Sequence, residues 1–94
     1  MDIKWDFRWN EWNVHHVSEH GVTPEEAEEV VSASRPPFPE HRGDGKWGVW
    51  GQTNAGRYLQ VLFVHDEPGP YDVYVIHARP LTDREKRQLR RRRS

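Results

Sequence analysis

Histidine, arginine and glutamate residues at the ends of two predicted strands are the side chains best suited to chemistry. His77 and Arg79 close the last predicted strand, Glu85 opens the helix after it, and Arg57 begins the middle strand. RNA can be cut without a metal ion when a base removes the 2′-hydroxyl proton, an acid protonates the leaving oxygen, and a cation stabilises the phosphorane. Histidine or glutamate suits the first role, histidine or arginine the second, and arginine the third.

Other chemistries have little support in this sequence. There is no cysteine, so a thiolate metal site and a disulfide framework are both excluded. His16 and His20 lie four residues apart, a helical spacing that can chelate zinc, but no third ligand follows at a recognisable spacing. No glycine-rich phosphate loop and no GxSxG motif occurs. We therefore expect neither a metal nor a cofactor, and the alternative for these histidines is partial exposure beside tryptophans.

Charge is distributed unevenly along a chain whose net charge is −1. Residues 1–33 contain eight acidic and two basic side chains, whereas residues 74–94 contain eight basic and two acidic ones. The basic end is suited to phosphate or to an acidic partner. It can equally reflect the preference of basic residues for a helix C-terminus. The acidic end of one copy could also pair with the basic end of another, so a homodimer is a further alternative.

Length and composition predict one small domain. The 94 residues include five tryptophans, which bury a large area each and so argue against disorder. We assign residues 1–90 to the domain and 91–94 to a basic tail. The sequence contains no apolar run of membrane-spanning length, and its N-terminus lacks the plan of a signal peptide. A cytoplasmic location and no membrane contact are expected.

The first half of the chain predicts one strand and two helices. Residues 3–7 alternate apolar and polar side chains, as a short strand does. The spacing of the first tryptophans predicts a helix capped by Asn10 and ending before Gly21. Thr23 begins a capping box with proline at the first helical position, which predicts a second helix. The proline-rich residues 34–45 are expected to form a loop or an edge strand.

The second half predicts three strands and a helix. Residues 46–51, 57–65 and 71–78 are rich in β-forming side chains and are separated by connectors of hairpin length. Thr82 begins another capping box, and the helix after it has Leu89 as its main apolar residue, which predicts weak packing. The expected fold is α+β, in the order β-α-α-β-β-β-α, with helices on one side of a small antiparallel sheet.

Three segments stand in a fixed order along the chain. The first is Trp5-Asp6, followed after a helix by residues 20–27 (HGVTPEEA). The second is Gly51 with Gly56-Arg57 before a hydrophobic strand. The third is residues 76–79 (IHAR), followed by Thr82 and Glu85. Taken together, these segments and their spacings resemble the BrnT family of type II toxin–antitoxin ribonucleases. His77 stands where the family usually has serine, and Tyr74 where many members carry arginine.

This resemblance implies a RelE-like fold and the activity of a toxin that cleaves RNA by attack of the 2′-hydroxyl group. It implies neutralisation by a small DNA-binding antitoxin of the BrnA type. The candidate catalytic residues are His20, Arg57, His77, Arg79 and Glu85. The candidate RNA-binding residues are Lys46, Arg84, Arg87 and Arg90.

Each assignment has a structural alternative that the sequence leaves open. Arg79 could form a surface ion pair with Glu85, and Glu85 could serve only the capping box of Thr82. Arg57 could be a hairpin residue, and His20 could stabilise a helix end. Trp5, Trp9 and Trp12 are expected in the core rather than stacked on bases. A non-catalytic module that binds RNA or protein is the alternative function.

Overall fold

The computed structural model describes residues 5–65 and 72–93 and has an α+β fold with a five-stranded mixed sheet and three helices. The strands are β1 (Asp6–Arg8), β2 (Glu40–His41), β3 (Lys46–Gln52), β4 (Tyr58–His65) and β5 (Asp72–Pro80). The helices are α1 (Glu11–Ser18), α2 (Pro24–Ser32) and α3 (Asp83–Arg93). In the described part of the chain, no helix is both long and apolar enough to cross a membrane.

The sheet is mixed because its first strand pairs with its last. The strand order is β1-β5-β4-β3-β2, and β1 runs parallel to β5 while the other pairs are antiparallel. The expectation of a wholly antiparallel sheet was therefore wrong at this edge, where α1 and α2 separate β1 from the other strands in sequence. At the opposite edge, the proline-rich segment supplies the short strand β2, as predicted.

Side-chain caps fix where the helices begin. Asn10 and Asn13 form a reciprocal capping box at α1, and Thr23 and Glu26 form another at α2, where Pro24 is the first helical residue. Both starts agree with the sequence analysis. Helix α1 ends at Ser18, so His20 lies in the turn that follows. Helix α3 continues to Arg93 and thus includes residues 91–93 of the predicted tail.

One face of the sheet, called here the core face, is buried under α1 and α2. It carries Val49, Val61, Phe63 and Val75, none of them more than 1% exposed. Four residues of the two helices complete the packing: Val17, Ala27, Val30 and Val31. Burial of these apolar side chains supplies the main stabilising free energy of the fold.

The tryptophans of the N-terminal third divide between core and surface. Trp5 and Trp9 are half-buried and pack against the core, as expected. Trp12 is 54% exposed, so its assignment to the core was wrong. The reason is that Asn13 and Val17 are the buried residues of α1, and Trp12 lies beside that stripe.

The opposite face of the sheet, called here the outer face, carries the polar side chains of the central strands. Lys46, Tyr74, His77 and Arg79 share it, because each lies on the face opposite the buried valines of its strand. Helix α3 covers one end of this face, where Lys86 lies 5.8 Å from the ring centroid of Tyr58. The helices therefore do not all lie on one side of the sheet.

Helix α3 is anchored more firmly than its sequence indicates. Leu89 is fully buried, and the guanidinium of Arg92 lies 4.9 Å from the ring of Phe38. Arg92 also forms an ion pair with Glu40 on β2. Burial of Leu89, together with the cation–π and ionic contacts of Lys86 and Arg92, holds this highly basic helix against the sheet.

A β-bulge in β5 determines which side chains reach the outer face. Leu62 pairs with His77, and the next residue of β4, Phe63, pairs with Val75, so Ile76 is an extra residue on β5. In a regular strand, residues three apart point to opposite faces. The extra residue instead places Tyr74 and His77 on the same face, together with Arg79.

Replacement of Asn13 by alanine tests the capping of α1. The Asn13 side chain is fully buried; its Oδ1 accepts from the Asn10 N–H at 2.7 Å, and its Nδ2 donates to the Arg8 carbonyl at 3.0 Å. We expect Asn13→Ala to lower the free energy of unfolding by about 2 kcal/mol, because the Asn10 N–H and the Arg8 carbonyl lose this partner and the helix loses its cap. Urea unfolding measures this. Val14→Ala, at an exposed neighbouring position, is the control, and equal midpoints for the two variants would contradict the assignment.

Candidate functional site

Three histidine side chains meet at the edge of the outer face. The ring centroid of His77 on β5 lies 5.0 Å from that of His20 and 6.1 Å from that of His16. Both contacts are edge-on, with interplanar angles of 70° for His20 and 65° for His16. These three residues are called the histidine cluster below. Acid and base groups within one cluster of this size can act on the same bound phosphate.

Helix α1 reaches the histidine cluster because β1 leaves the edge of β5 open. β1 pairs only with Asp72–Tyr74, so in the described structure the later part of β5 pairs with β4 on one side and has no strand on the other. Helix α1 packs there against β5. At the start of α1, the Tyr74 hydroxyl donates to Oδ1 of Asn10 at 3.1 Å. This bond ties the helix cap to the strand that carries His77.

Arg79 and Glu85 form a bidentate pair next to the histidine cluster. Nη1 and Nη2 of Arg79 donate to the two carboxylate oxygens of Glu85 at 2.7 and 2.8 Å. Glu85 also closes the capping box of α3, since its Oε1 accepts from the Thr82 N–H at 2.9 Å. The ion-pair and capping alternatives for Glu85 are thus both present. Through this pair, the start of α3 fixes the position of the Arg79 guanidinium.

The contacts of Arg79 leave part of its guanidinium available. Nη1 donates to Glu85 and to the Pro80 carbonyl, and Nη2 donates to Glu85. These bonds use three of the five N–H groups of an arginine. The remaining donors, on Nε and Nη2, lie along one edge of the guanidinium. That edge matches two oxygens of a phosphate.

Electrostatics favour a neutral His77. Its pKa is lowered, first by burial and then by the charges of His20, His16 and Arg79. A histidine with a lowered pKa is largely unprotonated at neutral pH and can accept a proton. Because the charges of His20 and His16 contribute to the lowered pKa of His77, a positive charge on either neighbour favours the neutral form of His77.

Glu85, in contrast to His77, is held in its charged form. Its pKa is lowered to about 2, mainly by the hydrogen bond from Arg79. A carboxylate that holds protons so weakly is a poor general base at neutral pH. The geometry therefore favours a positioning role for Glu85, in which it orients Arg79, over direct proton transfer.

Arg57 lies in a different set of contacts from the other catalytic candidates. Its Nη1 donates to both carboxylate oxygens of Glu26, at 2.9 and 2.8 Å, and to the Gly21 carbonyl at 3.0 Å. These bonds join the β3–β4 hairpin to the start of α2 and to the turn after His20. Their evident effect is to hold the segment that carries His20 in place.

The four candidate RNA-binding residues lie on two surfaces. Lys46 is exposed on the outer face, where it pairs with Val64, and Val64 pairs with Tyr74. Two strand spacings separate Lys46 from Tyr74, about 10 Å. The others are exposed along α3: Arg84, Arg87 and Arg90. Arg87 and Arg90 line a shallow depression together with Arg91.

Three residues of this region were not among the candidates predicted from the sequence. His16 completes the histidine cluster, and Trp12 stacks on His16 with ring centroids 4.6 Å apart. The ring centroid of Tyr74 lies 6.3 Å from that of Trp12. The spacing of Trp12 and His16 by four residues was a usable signal, because side chains four apart share a helix face. Tyr74 had no such signal, since its position depends on the bulge.

Among the residues that the structure describes, no group of three or more histidine, aspartate or glutamate side chains is arranged to hold a metal ion.

Comparison with known proteins provides no independent identification. No family model matches the chain, and neither a curated protein nor a solved structure matches it. The similarity to BrnT toxins and the RelE-like fold therefore stay predictions from the sequence. What is established is the α+β class of the fold, with its mixed sheet and its histidine cluster.

Replacement of Glu85 by glutamine tests the Arg79–Glu85 pair through its pH dependence. Glutamine can still accept the Thr82 N–H, so the substitution removes mainly the charge. Because the folded-state pKa of about 2 lies below the ordinary value of 4.5, Glu85 stabilises the fold above pH 4.5, and this contribution is lost as the pH falls towards 2. At pH 7 we expect Glu85→Gln to cost about 1 kcal/mol.

Urea unfolding of both proteins between pH 7 and pH 2 measures the difference. The control is Asp83→Asn, since the Asp83 side chain is 89% exposed and its nearest ion-pair contact, to Lys86, is 3.7 Å long. A gap between wild type and Glu85→Gln that stayed constant down to pH 2 would argue against the pair.

Proposed function

We propose that this protein is a metal-independent endoribonuclease and the toxin of a bacterial type II toxin–antitoxin system. The observation that carries the proposal is the histidine cluster beside Arg79 on the outer face. The cluster supplies proton donors and acceptors, and Arg79 supplies a fixed positive charge. Cleavage of an RNA phosphodiester through its own 2′-hydroxyl group needs these components and no metal ion.

In the proposed reaction, His77 is the general base. Its lowered pKa keeps it neutral, so it can take the proton of the 2′-hydroxyl group as that oxygen attacks phosphorus. His20, whose ring lies 5.0 Å away, gives a proton to the departing 5′-oxygen as the P–O5′ bond breaks. The products are a 2′,3′-cyclic phosphate and a 5′-hydroxyl end. The charge of His20 is one of the causes that lower the pKa of His77 and keep His77 neutral.

Arg79 stabilises the negative charge of the phosphorane through the guanidinium edge that Glu85 and Pro80 do not occupy. Glu85 holds this edge in position and takes no part in proton transfer. Lys46 and the exposed arginines of α3 add positive charge along the path of the RNA. Arg57 acts indirectly, by holding the turn after His20 through Gly21.

The ordered likeness to BrnT toxins, in particular residues 76–79 with Thr82 and Glu85, supports the same activity. In that reading His77 replaces the family's serine and contributes an imidazole where a hydroxyl group is usual. The toxin would act in the cytoplasm and would be held inactive by a BrnA-like antitoxin.

The alternative is a non-catalytic module that binds RNA or an acidic protein. The bidentate Arg79–Glu85 pair favours this reading, because the carboxylate partly neutralises the cation that catalysis needs. Such a module would bind RNA with a strong salt dependence and would leave it intact.

Cleavage of a mixed-sequence RNA in the presence of EDTA tests the proposal. We expect wild type to produce 2′,3′-cyclic phosphate ends. His77→Ala should reduce the rate about 10²- to 10⁴-fold, the usual contribution of an acid or base, and Arg79→Ala about 10²- to 10³-fold. The wild-type rate should fall on the acidic side with a midpoint below pH 6.5, since the pKa of His77 is lowered from that value.

His15→Ala is the matched control for these variants. His15 is exposed on the same helix as His16 but lies outside the histidine cluster, so its removal should leave the rate unchanged. RNA bound in a salt-dependent manner but not cut by the folded wild-type protein would support the binding module. Rates equal to wild type for both His77→Ala and Arg79→Ala would refute the site assignment.

A further inference from the structure

The side chain of Trp12 is unusually exposed for a tryptophan. Its side chain is 54% exposed, and it is one of two large hydrophobic residues that the described part of the chain exposes, the other being Val14. Exposure of a large aromatic ring to water forgoes the gain of burying it. Trp12 belongs to an organised group of rings.

The rings around Trp12 form a stack of fixed orientation. Trp12 is nearly parallel to His16, with an interplanar angle of 11° and a centroid separation of 4.6 Å. It is also nearly parallel to Tyr74, at 18° and 6.3 Å. The larger separation means that Tyr74 is offset from the indole and covers it only in part. This group of Trp12, His16 and Tyr74 is called the aromatic stack below.

Contacts outside the aromatic stack hold it in place before any ligand arrives. The Tyr74 hydroxyl donates to the Asn10 cap at 3.1 Å, and the guanidinium of Arg8 lies 4.4 Å from the Tyr74 ring centroid. His16 is within 3.5 Å of a carboxylate oxygen of Glu19. An arrangement that is already ordered loses little conformational entropy when a flat ligand joins it.

The aromatic stack adjoins the candidate catalytic residues. His16 belongs to both groups. Its ring centroid is 4.6 Å from that of Trp12 and 6.1 Å from that of His77. A nucleotide whose phosphate lay at the histidine cluster would therefore have an adjacent base within reach of Trp12.

We propose that Trp12 and Tyr74 form a binding site for an unpaired nucleobase next to the phosphate that is cleaved. This inference rests on the proposed function and makes single-stranded RNA the substrate class. A base within a duplex is already stacked on its neighbours, whereas an unpaired base can leave the strand and stack on an aromatic side chain.

Charge around the aromatic stack favours RNA over a protein as its occupant. Lys46 lies on the same face as Tyr74, and the charge of Arg79 reaches His77 next to the stack. Two histidines of the cluster lie on the α1 side of the same region. A polyanion with flat bases matches both the positive charges and the parallel rings, and stacking needs no particular base.

Binding of an RNA that cannot be cleaved tests the site without relying on catalysis. The probe is a fluorescently labelled single-stranded 2′-O-methyl oligonucleotide of eight nucleotides, whose blocked 2′-oxygen prevents attack. Fluorescence anisotropy then gives its affinity for wild type, Trp12→Ala, Trp12→Phe and the control Val14→Ala. Because Trp12 and Val14 are both exposed, neither variant is expected to disturb folding, and urea midpoints check this.

We expect Trp12→Ala to weaken binding about 5- to 150-fold, the range for loss of one stacked base. Trp12→Phe should retain most of the affinity, and Val14→Ala should stay within twofold of wild type. Wild type should also bind an oligonucleotide without bases, or the same strand in a duplex, more weakly than the single strand.

Equal affinity of wild type and Trp12→Ala would overturn the inference and would leave the exposed indole to a protein partner. Equal affinity for the strand without bases would overturn it as well. The cleavage assay is independent of these results. If wild type cut no RNA but Trp12→Ala lost affinity for the oligonucleotide, the stacking site would stand and the ribonuclease proposal would fail.

Discussion

The extra residue in β5 is the constraint on which the candidate site depends. Because Ile76 is unpaired in the register with β4, Tyr74, His77 and Arg79 reach the same face of the sheet. Deletion of the bulge would turn the residues before it, Tyr74 included, towards the core and the buried valines outwards, which the hydrophobic core does not permit. The bulge is thus stabilised by the core on one face while it assembles polar chemistry on the other.

The position of α1 is the second feature on which the candidate site depends. The helix lies beside the open edge of β5 with Asn13 and Val17 buried, so its next stripe, Trp12 and His16, faces the outer side of the strand. The capping asparagine Asn10 joins the same arrangement through Tyr74. Stability and site geometry are therefore coupled, because the groups that begin α1 also orient the rings next to His77.

The elements of this fold could largely be predicted from the sequence, since their signals are local. Capping boxes at Asn10, Thr23 and Thr82 and alternation in β3 and β4 are properties of neighbouring residues. The parallel pairing of β1 with β5 could not be predicted in the same way, because it depends on contacts more than sixty residues apart. The same applies to the burial of Leu89, which a helix with seven basic residues among eleven gives little reason to expect.

The candidate site, like the fold, could be predicted only in part from local sequence signals. His77, Arg79 and Glu85 were identified from their positions at element ends, and His20 from the resemblance to a known family. The structure brings the two histidines together and pairs the other two residues. Arg57 was chosen by the same reasoning, yet it is bound to Glu26 and Gly21, because an arginine at a hairpin is equally suited to an acidic helix start nearby. The sequence pattern does not distinguish these outcomes, since it contains no information on which carboxylate lies closest.

The Arg79–Glu85 pair shows how one set of contacts can serve both the fold and a reaction. A lone arginine on an open sheet face would be mobile and strongly hydrated, and a phosphate would have to order it on binding. Glu85 orders it in advance, at the cost of part of its charge, and leaves the edge formed by Nε and Nη2 for an anion. The capping bond from Thr82 fixes Glu85 in turn, so the first turn of α3 determines the direction in which that edge points. A carboxylate in this position is more useful as a support than as a base, which leaves proton transfer to the histidines.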